Sequence, residues 1–208
     1  SAFGIPFPPT GERLDRLEEA IQVVQALWSD GPANFEGRFY PLNGAECYPK
    51  PTQQPLPILV GGNGERRTLR LVAQYANQWN GIYLDVTAYR AKCEILERHC
   101  HDVGRDPTAI EHSLMLGIVI GRDEQEIARR LDRLSGSPIV TDAKGSDGLE
   151  ATLTRLRRKG WLIGSPTQIV EALGHLSDAG VSRVMLHHLD KNDFDALELI
   201  AAEVLPQA

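Results

Sequence analysis

The residues with the most chemical promise are Gly61-Gly62-Asn63-Gly64, three glycines in four positions between an apolar run (Pro57 to Val60) and a helical stretch (Glu65 to Ala76). Bare glycine backbone lets a ligand come close. A glycine-rich turn that opens a helix also offers unbonded N–H groups and a partial positive charge, which suits a phosphate. Many α/β turns carry glycine for tight turning alone, so the turn by itself leaves both uses open. Thr68, one turn into the helix, is either a hydroxyl donor to the same anion or an ordinary helix residue. Arg66 and Arg67 are the cations nearest the helix start.

Three further places could do chemistry. In Trp79-Asn80-Gly81 the indole could wall a flat ring and the carboxamide could hydrogen-bond to it, or the pair could be a core tryptophan with a turn asparagine. Gly121-Arg122-Asp123 reads most simply as a strand-to-helix turn with a cap. His187-His188 ends an apolar run, where alternation sends one imidazole to each face of a strand. His187 is the substrate-side candidate, able to hydrogen-bond or shuttle a proton, against an equal case for a structural histidine. No carboxylate or cysteine spacing supports a metal there. Cys93, His99, Cys100 and His101 have the composition of a metal site, but both cysteines lie on the apolar helix face and read as core thiols. No Gly-x-Ser-x-Gly or Walker sequence is present, and no catalytic acid or base is assigned.

The elements that must position these groups follow from periodicity. Leu14, Leu17, Ile21, Val24 and Trp28 mark an amphipathic helix over residues 12–28. A small hairpin or loop insertion is expected at 35–40, then a proline-rich approach to the strand ending at Val60. Further strands are expected at 79–84, 113–120 and 181–189, with helices at 87–103, 123–134, 149–159, 165–179 and 192–204. Asp123 and Ser165-Pro166-Thr167-Gln168 are cap signals. Residues 135–146 read as a mobile excursion, and 135–162 as a candidate lid on a strand-to-helix connection. Four strands alternating with helices imply a parallel sheet, either doubly wound or part of an eight-stranded barrel.

Composition narrows the classes. A net charge of −6 and no long basic run argue against a nucleic-acid surface. No apolar run approaches the ~20 residues of a membrane helix. Ser1 to Pro9 reads as a loop rather than a leader, and three scattered cysteines suit reduced thiols, so a cytoplasmic protein is expected.

Pro57-Ile58-Leu59-Val60-Gly61-Gly62, the run from Arg67 to Ala76, and Trp79-Asn80 resemble the luciferase-like monooxygenase family, in its branch that uses the deazaflavin coenzyme F420. The start at Phe3-Gly4-Ile5-Pro6-Phe7 and the ending at Asp178-Ala179-Gly180-Val181 and Val204-Leu205-Pro206 are similar too. Ala76-Asn77-Gln78 departs from the family's usual Ala-Asp-Gly. The resemblance implies a (β/α)8 TIM barrel of the luciferase-like type, present as an incomplete C-terminal portion. It implies hydride transfer between F420, or alternatively FMN, and a small organic substrate, or else an FMN-dependent monooxygenase. Gly61, Gly62, Asn63, Gly64, Thr68, Trp79 and Asn80 would then contact the cofactor. Two competing readings remain: a non-catalytic fragment whose unpaired strand edges favour homo-oligomers, and a different phosphate-handling barrel enzyme.

Overall fold

The computed structural model describes residues 3–143, 145 and 148–208. Ser1 and Ala2 of the expected leading loop, and Lys144, Ser146 and Asp147 of the expected excursion, lie outside the described residues. Helix α1 (Thr10–Trp28) comes first. A short antiparallel hairpin, β1 (Ala33–Phe35) and β2 (Leu42–Ala45), follows it. Glu19 of α1 accepts hydrogen bonds from the amides of Arg38, Phe39 and Tyr40 at 2.8, 2.8 and 3.1 Å, which clamps the hairpin turn to the helix.

The remaining chain alternates strand and helix. In order these are β3 (Leu59–Gly61), α2 (Thr68–Tyr75), β4 (Gln78–Ile82), α3 (Val86–Asp102) and β5 (Glu111–Ile120). Next come α4 (Glu124–Arg133), α5 (Pro138–Ala143), α6 (Leu149–Arg158) and β6 (Trp161–Gly164). The last are α7 (Pro166–Asp178), β7 (Arg183–His187) and α8 (Phe194–Glu203). Both expected caps form: Asp123 accepts from the Glu126 amide at 2.7 Å, and Ser165 with Gln168 makes a reciprocal capping box. Asp85 caps α3 by accepting from the Ala88 amide at 2.7 Å.

All pairings in the main sheet are parallel. β5 is its axis. Ser113, Leu114 and Met115 pair with both β4 and β7, so those two strands lie on opposite edges of β5. Gly117 pairs with both Trp161 and His187, so β6 shares the β4 edge further along. The strand order β3-β4-β5-β7 is therefore a continuous arc, with β6 extending the β4 position beyond its end.

Alternation along these strands divides the side chains. Trp79, Leu114, Leu116, Ile118 and Ile120 join a core with Leu69, Val72, Tyr89, Leu96, Ile169 and Ile200 from the covering helices. The opposite, inner face carries Asn80, Ser113, Met115, Gly117, Met185 and His187. Beyond Gly117 it is covered by a second core, in which Val119, Trp161 and Ile163 pack against Ile127, Leu131, Val140, Leu153 and Leu156.

Two differences from the sequence reading matter. The first helical turn after the glycine loop is not α-helix: Leu69 N–H donates to Gly64 O, and α2 proper begins at Thr68 instead of Glu65. The 135–162 stretch holds two helices and runs into a buried strand, because its apolar residues Val140, Leu153, Leu156 and Trp161 find the second core. At the far side, Arg130 is buried against the Asp193 carboxylate at 2.8 Å and meets Glu126 at 2.7 Å, tying α4 to the start of α8.

Candidate functional site

The C-terminal ends of β3, β4, β5 and β7 lie at one rim of the arc, where α/β barrels place their chemistry. Gly61, Gly62, Asn63 and Gly64 form the loop above β3. Gly62 has φ 121°, open to glycine at no steric cost, and donates its N–H to Asn80 O at 2.9 Å. A Cβ on Gly64 would lie 2.7 Å from Thr68 Oγ1, so only a bare backbone fits beside that hydroxyl. Among the described residues, the amides from Asn63 to Thr68 donate to no protein acceptor. They are a row of free donors, with the Thr68 hydroxyl at its end.

The Asn63 carboxamide is engaged within the protein, while its backbone N–H stays in the row of free donors. Its Nδ2 donates to Ile82 O at 2.7 Å and its Oδ1 accepts from Ile82 N at 2.9 Å. The side chain thus extends the β3–β4 pairing by one rung and locks the loop onto β4. Trp79 does related work from the helix side. It is fully buried, and its Nε1 donates to Gly62 O at 2.9 Å. Its ring stacks on Tyr89, with centroids 5.9 Å apart, and meets the edge of His112 at 5.4 Å. Trp79 therefore supports the loop from beneath.

Asn80, one residue on, faces the inner side, where its Nδ2 donates to Ser113 Oγ at 3.0 Å and lies 3.6 Å from Met185 Sδ. Ser113 in turn donates to Trp79 O at 3.1 Å. Asn80 and Trp79 are not brought together; the pleat sends them to opposite faces. Arg67 is turned away from the loop and bound to α1 through Asp15 at 2.7 Å.

The histidines separate as alternation requires. His187 Nδ1 is 2.7 Å from the Tyr83 hydroxyl. His188 Nε2 is buried without a hydrogen-bond partner among the described residues. Tyr83, just past β4, was not singled out by sequence; its ring stacks on Trp161 with centroids 5.8 Å apart. The room for this comes from Gly117, where a Cβ would meet the Trp161 ring at 2.5 Å. A glycine inside an otherwise apolar strand was the available signal, since such glycines mark close approach.

Gly121-Arg122-Asp123 is a structural turn, with Asp123 capping α4 and Arg122 paired to Glu126 at 2.9 Å. Cys100 is buried in the core, and His99 Nε2 donates to Glu65 O at 2.7 Å. No helix among the described residues is long and apolar enough to cross a membrane.

A parallel arc with glycine-opened amides at its C-terminal rim is the geometry of an α/β barrel with its loops gathered at one end. The chain belongs to the luciferase-like monooxygenase family, whose pattern it matches over residues 1–183. It is 25% identical to an F420-dependent glucose-6-phosphate dehydrogenase of Kineococcus radiotolerans, over 99% of this chain and 64% of that protein. It is 27% identical to an FMNH2-dependent dimethylsulfone monooxygenase of Pseudomonas putida, over 99% of this chain and 61% of that protein. Among solved structures, an F420-dependent secondary alcohol dehydrogenase, in complex with an F420–acetone adduct, superimposes with a TM-score of 0.77 at 20% identity, covering 97% of this chain and 64% of the other. An EDTA monooxygenase from Chelativorans does so with a TM-score of 0.75 at 17% identity, covering 99% of this chain and 61% of the other. The fold is thus that of the luciferase-like α/β barrels, and this chain spans less than two-thirds of the length of these relatives.

Proposed function

We propose that the chain is the cofactor-holding part of an oxidoreductase that passes a hydride between coenzyme F420 and a small organic substrate, in the cytoplasm and as a homo-oligomer. The observation that carries this reading is the row of unbonded amides from Asn63 to Thr68 at the C-terminal rim. The donor set suits a cofactor's phosphate: backbone N–H groups, one hydroxyl, and no side chain at Gly64 to block approach.

When bound, the deazaflavin supplies the hydride chemistry. The protein's own residues bind and orient. Gly61, Gly62, Gly64 and Thr68 receive the phosphate-bearing tail. Asn63 and Trp79 hold that loop in shape through Ile82 and Gly62. Asn80, fixed by Ser113, presents a carboxamide to the inner face. His187 faces the substrate. Residues 135–162 are the lid that excludes water, with α5 and α6 as its cover and Trp161 and Leu162 as its anchor in β6.

The Pseudomonas putida relative supports a second reading, in which the same loop takes FMN. Titrating the protein with F420 and with FMN, and following each cofactor's own fluorescence, separates the two. F420 is expected to bind, and Gly64→Val to weaken it at least tenfold by filling the space beside Thr68. Binding of neither cofactor sinks both readings.

A further inference from the structure

Tyr83 is the one non-glycine residue, among those described, with a left-handed backbone, at φ 51°. A bulky residue holds that conformation only where its surroundings impose it, and such positions cluster at functional sites. Three contacts impose it here. Tyr83 N–H donates to Met115 O at 2.9 Å. The Gly160 backbone abuts the Tyr83–Leu84 peptide so closely that a Cβ there would lie 2.5 Å from it. The Trp161 ring stacks on the phenol ring. The result is a phenol that reaches past Gly117 to a histidine on β7.

We infer that Tyr83 is a positioning residue: it holds His187 as an Nε2–H donor on the inner face, directed at an oxygen acceptor (a carbonyl or hydroxyl) of the substrate. This rests on the oxidoreductase reading above. Burial raises the Tyr83 phenol above its ordinary range, so it keeps its proton and has one to donate to Nδ1. In the inferred arrangement Nδ1 accepts that hydrogen bond, and the neutral ring carries its own proton on Nε2. His187 is half-buried, and its Nε2 has no hydrogen-bond partner among the described residues. The same cluster holds a second unused donor, the buried Trp161 indole N–H, which has no acceptor among the described residues. Donors outnumber protein acceptors here, which points to a ligand that brings oxygen.

Nitrogen-15 NMR of the histidine-labelled protein, with the His187 signals assigned by His187→Gln, tests this. The Nε2–H tautomer is expected at neutral pH, and acetone, as the smallest carbonyl probe, should shift its Nε2–H signal. Tyr83→Phe should yield a mixture of tautomers and a weaker acetone response, while F420 binding stays within twofold. An Nδ1–H tautomer in the unmodified protein overturns the inference. So does a Tyr83→Phe spectrum that matches it, or an Nε2–H signal indifferent to acetone. Should Tyr83→Phe lose its fold, the tautomer and acetone response of the unmodified protein decide alone. Absence of F420 and FMN binding, with the tautomer as expected, would instead remove the assigned reaction and keep the positioning of His187.

Discussion

Two tyrosine–histidine pairs lie on opposite faces of one sheet, each with oxygen and Nδ1 2.7 Å apart. Tyr89 and His112 sit on the helix side, under Trp79 and within reach of Cys93, whose Sγ is 3.7 Å from the same Nδ1. Burial pushes the Tyr89 phenol and the Cys93 thiol up and the His112 imidazole down, so all three stay neutral at ordinary pH. Tyr83 and His187 sit on the inner face with His187 half-exposed. Both imidazoles are half-buried and the hydrogen bond is alike in both; what differs is the company, Trp79, Tyr89 and Cys93 around His112 and the inner face around His187. The pair packed beneath Trp79 ties helix to sheet, and its twin lies on the inner face, where the proposed reaction would run.

That contrast can be broken most severely at Gly117. Gly117→Val should displace the Trp161 ring, destabilise the protein by about 3 kcal/mol and scatter the Tyr83–His187 pair, as overpacked positions do. Urea unfolding checks the first effect, and the His187 nitrogen signals check the second. Removing one partner of the Tyr89–His112 pair comes next. Tyr89→Phe leaves His112 Nδ1 in a part-buried site with only the Cys93 thiol nearby and should cost about 1 kcal/mol in the same measurement.

A pH series sharpens the comparison further. The folded His112 imidazole titrates below its unfolded value near 6.5, chiefly because of burial, with Glu97 opposing. As pH falls through about 6.5 the unfolded state takes up a proton that the folded state refuses, so stability declines until the lower, folded value is passed. His112→Asn should flatten that part of the urea-midpoint profile, and an unchanged slope would contradict a lowered His112 titration in the fold. The smallest stability effect is expected from Tyr83→Phe, under about 1 kcal/mol, because water can replace the lost partner at the half-open His187.

Much of this arrangement was legible in the sequence. Apolar runs marked β3, β5 and β7, the stretch from Trp79 to Leu84 marked β4, and cap residues placed the starts of α4 and α7. The glycine loop was found because glycine composition is local information. Trp79 and Asn80 were grouped together, although strand alternation alone forbids two neighbours from sharing a face. β6 was missed because Trp161 to Gly164 is only four residues, and its strand character comes from pairing with a distant part of β5. Tyr83 carries no sequence mark: its backbone conformation is imposed by Gly160 and Trp161, nearly eighty residues away. Asn63 looked like a ligand contact because its type suits one, and only the position of Ile82 shows where its carboxamide is spent.

The Asn63 bonds bear on how long the loop lasts. Asparagine followed by glycine is the sequence most open to deamidation, since the small glycine lets its amide nitrogen attack the carboxamide carbon. At Asn63-Gly64 both atoms of that carboxamide are held by Ile82, so the carbon cannot swing toward the attacking nitrogen until the rung opens. Conversion to aspartate would remove the Nδ2 donor and set a carboxylate oxygen against Ile82 O. The two hydrogen bonds that shape the loop also set its chemical lifetime, and the slow accumulation of one extra negative charge would record how often it opens.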